Sequence, residues 1–351
     1  MRLIRQIRRR EMLRIAIADS SGLLDQAAVG IALSDADRAA ILGALHVAEA
    51  TVFEESERLT RVLVVAMGRQ GGREIGYVSD ADVIYVHNPL PGADPSAAQQ
   101  QALKIVSQLS ALLQQPSSPP VLAERPLELD AALRPEGKNG PLVRSLEAYR
   151  EYYQRWSLVW ETQALLRARP IAGDDDLAAE FTSLIDPIRY GSRVGPDDVR
   201  EIRRIKARVE SERLPRGADP ARHLKLGRGA LSDVEWLVQL LQLQHAHDHP
   251  ALRTTGTLEA LAAIGDAGLL PAADVLTLRQ SWSLASRIRS ANVIWSGKNA
   301  DLLPVSRRDL DAVARWCGYQ PGHGGDLEED YLRLTRRTRG IFERYFYGYG
   351  L

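Results

Sequence analysis

Two hydrophobic rhythms run along this chain of 351 residues. Short apolar runs broken by Gly, Pro and Asp occupy the first part, and from Leu146 onward apolar positions recur at three-and-four spacing. The first rhythm marks strands mixed with helices, and the second marks helix alone. The pattern predicts an Arg-rich helix over 2–26 and a helix over 35–58. Ser34 is expected to cap the second, with Asp35 and Asp37 in its first turn. Strands are expected at 61–67 and 82–87, with a Pro/Gly breaker loop from Pro89 to Pro95. A helix over 96–115, a loop at 116–120 and a third strand over 121–133 follow. The remainder reads as helices at 146–169, 175–186, 196–213, 230–247, 256–267, 271–297, 307–317 and 325–346. The fold class expected is α+β, a small mixed-sheet head on a long all-α helical-bundle body. The expected division is an N-terminal helix over 1–30, the head over 31–150 and the body over 151–351.

The strand-like run Val62–Met67 meets a glycine turn at Gly68, Gly71 and Gly72, and Asp80-Ala81-Asp82 leads into the run Val83–Val86. In extended backbone, residues i and i+2 share a face, so Asp80 and Asp82 project together. Neighbouring carboxylates repel unless a cation lies between them. Mg²⁺ takes oxygen ligands and shares them with substrate phosphates, while glycines allow backbone to approach an anion. The local reading is a nucleoside triphosphate site with Mg²⁺ on Asp80 and Asp82. A solvated strand edge or a turn is the alternative for this acid pair alone.

A third acid lies in the segment 122–143. Leu127, Leu129 and Ala131 alternate with Glu128, Asp130 and Ala132 at a strand period, and Arg134, Lys138 and Arg144 follow with Gly137 and Gly140 between them. A carboxylate ahead of a basic, glycine-containing loop suits a third metal ligand or a base beside bound phosphates. An ordinary wet edge strand is the alternative.

Gly71, Gly72, Glu74, Ile75, Tyr77, Ser79, Asp80, Asp82 and the apolar run after them, taken with Asp130 to Val143, resemble the glutamine synthetase adenylyltransferases. The segments 155–174 and 223–243 match further motifs of that family in the same order. The resemblance runs from about residue 10 to the end. It implies a polymerase-β-like nucleotidyltransferase head, with ATP as substrate and two Mg²⁺ ions on Asp80, Asp82 and Asp130. It also implies a nucleotide held at Gly71, Gly72, Ser79, Arg134 and Lys138. The reaction implied is AMP transfer to a tyrosine of glutamine synthetase, with a trimeric nitrogen-signalling protein as a further partner. The wording around Ser79–Asp82 and His87 resembles the adenylylating, C-terminal head. Family members carry two heads, so a fragment or half-protein is expected. Phosphorolytic removal of AMP, a regulatory docking half and a small-molecule nucleotidyltransferase remain alternatives.

Composition narrows the partners. Basic and acidic residues number 45 each. That balance gives no global field for nucleic acid. One cysteine, Cys317, excludes an internal disulfide and reads as a small buried hydrophobe. No apolar run is long enough to cross a membrane, and the basic N-terminus lacks the apolar core of a signal peptide. A cytoplasmic enzyme is expected.

Three further features carry weaker signals. Trp156 and Trp160 stand four apart on one expected helix and read as core packing, and the family resemblance implies Glu161, Arg167 and Arg169 as support for the head. Lys225, Gly227, Arg228 and Gly229 form a basic turn before a helix that carries Asp233 and Glu235. Lys225, Arg228 and Glu235 are its candidate phosphate or partner contacts, with a simply capped helix as the alternative. The family wording has glycine where Ala230 stands, which puts close backbone approach there in doubt. The alternating His245, His247 and His249 do not share a helix face, so no metal is expected on them.

Overall fold

The apolar runs Val62–Met67 and Val83–Val86 form the two central strands of a sheet buried on both faces. The structure, a computed structural model, describes residues 1–116, 120–121, 124–298 and 300–349. Contacts divide the chain into two compact units, one of Met1–Leu23, Ala28–Ile75 and Ser79–Ser192, the other of Leu24–Ala27, Gly76–Val78 and Arg193–Leu351.

The first unit holds α1 (Arg2–Ser20), most of α2 (Gln26–Glu55), β1 (Thr60–Ala66), the single turn α3 (Gly68–Gly71), β2 (Ala81–Pro89) and α4 (Pro95–Gln114). It continues with β3 (Leu129–Asp130), β4 (Val143–Ser145), α5 (Leu146–Arg155), α6 (Val159–Leu165), β5 (Arg169–Gly173) and α7 (Asp175–Tyr190). The strand order is β3-β2-β1-β5, with β4 also on β2. β1 is antiparallel to β2 and β5, and β2 is parallel to β3 and β4.

Side-chain alternation sorts the sheet into two cores. Val62, Val64, Ala66, Val83 and Tyr85 pack with Ile41, Leu45, Ile105 and Leu109 of α2 and α4. Leu63, Val65, Met67, Ile84 and Val86 pack with Tyr149, Leu165, Phe181 and Ile185 of α5, α6 and α7. Burial on both faces explains why β1 and β2 read as continuous apolar runs.

The second unit contains α8 (Pro196–Glu212), α9 (Leu231–His245), α10 (Thr257–Asp266), α11 (Ala272–Ser296), α12 (Arg307–Trp316) and α13 (Gly324–Phe342), closed by a π turn at Glu343–Tyr347. Its core includes Leu237, Leu241, Leu278, Trp282 and Phe342. At its centre the Lys206 ammonium, itself buried, meets Asp233 at 2.7 Å, and Arg339 reaches Asp233 at 3.1 Å.

Several expected elements are corrected. α1 stops at Ser20, where Gly22 takes a left-handed conformation and Leu23 N–H closes back on the Ala18 carbonyl. Ser34 is no cap: α2 begins at Gln26, and the Ser34 hydroxyl donates to the Gly30 carbonyl one turn back. The third strand is reduced to Leu129–Asp130. Part of that expected strand and part of the loop at 116–120 fall on 117–119 and 122–123, outside the described residues.

The expected helix 146–169 is broken twice. Glu161 accepts the Leu158 N–H and starts α6 afresh, leaving Trp156 at the end of α5 and largely exposed rather than in a core. The chain then becomes β5 against β1, with a register shift beside Pro170, which has no N–H for the ladder. Cys317 is only half-buried, at the end of α12.

Candidate active site

Asp82 enters β2 one residue after Ala81, and Asp130 ends β3. The two strands are parallel and in register, so Ala81 faces Leu129 and Asp82 faces Asp130. Ala81 N–H donates to the Glu128 carbonyl at 2.9 Å and fixes that register. Neighbouring strands lie about 5 Å apart, so the two carboxylates leave the sheet side by side. Asp82 shares the parity of Ile84 and Val86 and therefore the α5–α7 face. Asp80 stands exposed just outside the strand, and Ser79 is half-buried before it.

The glycine turn is built around Asp82. Met67 N–H donates to the Asp82 carbonyl at 2.8 Å. Gly68 follows with φ +49°, and a Cβ there would overlap the Asp82 carboxylate. Gly68 thus meets two demands that only glycine satisfies together, a left-handed backbone and close approach to the Asp82 carboxylate. Gly71 serves a different end: a Cβ on it would run into the Arg167 carbonyl. Its N–H donates to the Met67 carbonyl and that of Gly72 to the Gly68 carbonyl, so both close α3 on itself. Arg169 donates to the Gly71 and Gln70 carbonyls at 3.0 and 3.1 Å. Burial, with Arg73 nearby, brings the Arg169 guanidinium down to about 10.

The loop after β3 is internally tied. Asp130 accepts the Ala132 N–H at 2.8 Å, a local turn that leads the chain off the strand. Arg134 donates to the carbonyls of Ala131, Lys138 and Gly140, which turns its guanidinium into the loop. Glu136 and Gly137 both adopt left-handed conformations at the bend, and Lys138 remains exposed.

Among the described residues, no group of three His, Cys, Asp or Glu is arranged to hold a metal ion unaided. Mg²⁺ seldom sits in such a cage; it commonly uses one or two carboxylates, with substrate phosphates and waters completing the octahedron. The hard oxygen donors of Asp82 and Asp130, with Asp80 alongside, fit that substrate-completed type.

In the second unit, Lys225 and Arg228 are exposed and Glu235 is half-buried. Gly229 carries the left-handed backbone, and a Cβ on it would strike the Thr335 carbonyl. Ala230 is extended at φ −84°, so the close approach falls at 229 and alanine fits at 230. Asp233 turns back to accept the Gly229 N–H at 2.7 Å, which caps the start of α9 from within the chain. The rings of His245 and His249 meet edge to face.

Residues 1–184 match the family model described as glutamate-ammonia ligase adenylyltransferase. The chain belongs to that family. Residues 203–346 match a second model, described as GlnD PII-uridylyltransferase. A protein of Leifsonia xyli subsp. xyli is 50% identical over 348 residues, covering 98% of this chain and 33% of its own. One of Streptomyces avermitilis is 50% identical over 361 residues, 98% of this chain and 35% of the relative. One of Mycobacterium tuberculosis is 50% identical over 344 residues, 97% and 34%. All three are named bifunctional glutamine synthetase adenylyltransferase/adenylyl-removing enzyme. The chain spans about a third of the length of these relatives.

Within this family member, two supporting roles emerge from the packing. Arg167 forms a buried ion pair with Glu74 at 2.6 Å, tying the segment after α6 to the residue two beyond Gly72. Arg167 and Arg169 thus both brace the glycine turn, while Glu161 caps α6 and accepts the Tyr152 hydroxyl. Gly68 carries no separate signal in the sequence, because three glycines share the turn and only the packed strands show which one lies against the acid.

Proposed function

We propose that the chain transfers AMP from ATP to a tyrosine hydroxyl of glutamine synthetase and releases pyrophosphate. The observation that carries this reading is the in-register pair Asp82 and Asp130, with Gly68 packed against the Asp82 carboxylate where a Cβ would overlap it. The names of the relatives support the substrate. The wording of the Ser79–Asp82 segment supports the adenylylating, C-terminal type of head.

The tyrosine oxygen attacks the α-phosphorus in line, the bond from that phosphorus to the bridging oxygen breaks, and pyrophosphate departs. A phenol has a pKa near 10, so its proton must be taken up during attack, and Asp130 is the assigned acceptor. Asp80, Asp82 and Asp130 would hold two Mg²⁺ ions, which supply charge neutralisation at the attacking and leaving oxygens. Lys138, exposed on the loop beyond Asp130, and Ser79 are assigned to the nucleotide. Arg134 supports that loop from inside, and Gly71 and Gly72 shape the turn beneath Asp82. The basic turn with Lys225 and Arg228 is assigned to partner contact. The match of residues 203–346 to a PII-uridylyltransferase model supports a trimeric nitrogen-signalling protein as a further partner. A cytoplasmic setting belongs to this reading; among the described residues, no helix is long and apolar enough to cross a membrane.

The test is incubation of the chain with Mg²⁺, α-labelled ATP and unmodified glutamine synthetase. Label on a tyrosine, lost in Asp82→Asn, is the expected result. Absence of label in the unsubstituted chain, together with ADP formed from pre-adenylylated synthetase and phosphate, would reverse the assigned direction. The relatives' names include that second activity.

A further inference from the structure

On the Asp82 side of the sheet an open cleft of about 580 Å³ is lined by Glu136, Arg144, Glu151, Tyr152, Arg155 and Trp156. Its position follows from the strand register. β3 and β4 both pair in parallel with β2, the first placing Asp130 opposite Asp82 and the second placing Arg144 opposite Val86. In-register residues of parallel strands share a face, so Arg144 emerges on the face of Asp82 and Asp130. Four residues of strand separate the two levels, or about 13 Å. α5 packs on this face through Leu146 and Tyr149 and presents Tyr152 and Arg155 to the cleft.

The lining is unusual in two respects. Trp156 is 69% exposed, and Leu158 beside it is exposed as well. An indole left open at the mouth of a cleft is a surface for a flat ring. The Arg144 guanidinium lies over the Tyr152 ring at 5.2 Å and pairs with Glu136, yet its Nε is buried with no partner among the described residues. A buried donor of this kind needs an acceptor from water or ligand. Indole, two guanidinium groups and two carboxylates together suit a neutral heteroaromatic ring with donors and acceptors on its edge, rather than a purely anionic or purely apolar ligand.

We propose that this cleft is the purine subsite of the nucleotide, with the base stacked on Trp156 and the triphosphate directed along the sheet toward Asp82 and Asp130. The proposal rests on the AMP-transfer reading and adds the residues that hold the base. Neither the acids nor the glycine turn contacts the base in this arrangement, so base affinity and catalysis are separable.

The experiment measures binding of ATP and of inorganic tripolyphosphate, each with Mg²⁺, by equilibrium dialysis and tryptophan emission. In the unsubstituted chain ATP binds and quenches emission. Trp156→Ala weakens ATP on the order of tenfold or more and leaves tripolyphosphate unchanged, because only the stacking contribution is lost. Trp156→Phe retains most of the ATP affinity and loses the quench. Thermal melts accompany each variant, and an exposed side chain predicts unchanged midpoints. Unchanged ATP affinity in Trp156→Ala, or equal loss of ATP and tripolyphosphate, overturns the subsite while leaving AMP transfer standing. Failure of the unsubstituted chain to bind ATP at all overturns both.

Discussion

Asp82 and Asp130 lie directly opposite one another on parallel strands, although 48 positions separate them in the chain. Backbone N–H groups anchor both: Met67 N–H donates to the Asp82 main-chain carbonyl, and Ala132 N–H donates to the Asp130 carboxylate at Oδ1. Asp82→Asn and Asp130→Asn are expected to lower AMP incorporation by roughly a hundredfold or more, the scale of losing one electrostatic contact to the transition state. Thermal midpoints without Mg²⁺ should hold or rise slightly, since one repelling charge is removed. Full incorporation in either variant would remove that residue from the catalytic assignment.

Gly68→Ala tests the close approach of the backbone to the Asp82 carboxylate. The left-handed backbone costs about 1–2 kcal/mol for alanine, and the new methyl displaces the Asp82 side chain. A modest fall in thermal midpoint with a disproportionate loss of AMP incorporation is expected. Retained activity at reduced stability would restrict Gly68 to a structural role.

The Glu74–Arg167 pair is buried on both sides. Arg167→Met takes the guanidinium at 2.6 Å away from the buried Glu74 carboxylate and is expected to destabilise the first unit by up to about 3–5 kcal/mol. Denaturant unfolding followed in Arg167→Met, in Glu74→Gln and in the double variant checks this. The double variant should recover part of the loss if the orphaned charge is its cause.

His87 supplies a pH dependence. Its Nδ1 meets the Thr60 hydroxyl at 3.0 Å and its Nε2 the Gln99 amide oxygen at 2.7 Å. Burial lowers its pKa below 6.5, with the Gln99 bond opposing in part. The folded form therefore holds the proton less readily than the unfolded chain. The stability this contributes is complete above about pH 6.5 and is lost as pH falls through the folded value. His223 and His245 are lowered by burial too and act in the same direction. Thermal melts between pH 7.5 and 5 should show a shallower acid decline for His87→Gln than for the unsubstituted chain. Equal slopes would place the acid sensitivity elsewhere.

Local pattern was enough for elements whose burial repeats along the chain. β1 and β2 read as strands because both their faces are covered, and helices such as α8, α12 and α13 read as helices because each carries buried apolar positions at helical spacing. Strand parity alone suggested Asp80 and Asp82 on one side of the chain, and β2 begins only at Ala81, which leaves Asp80 outside the strand. What depended on a distant partner was not readable. β5 contains Pro170 and Gly173 and is a strand because β1 offers it a free edge. Arg134 looks like a phosphate ligand in sequence, but three carbonyls of its own loop draw it inward. Gly68 is one glycine among three until the Asp82 carboxylate is packed against it. The sequence by itself determined the two central strands, most of the helices of the second unit and the family resemblance, and it nominated the acids. The tertiary structure decided the register that sets Asp82 beside Asp130, the glycine that lies against the Asp82 carboxylate and the face on which Trp156 opens. Periodicity records only whether a position is buried, whereas register and close approach depend on which segments meet.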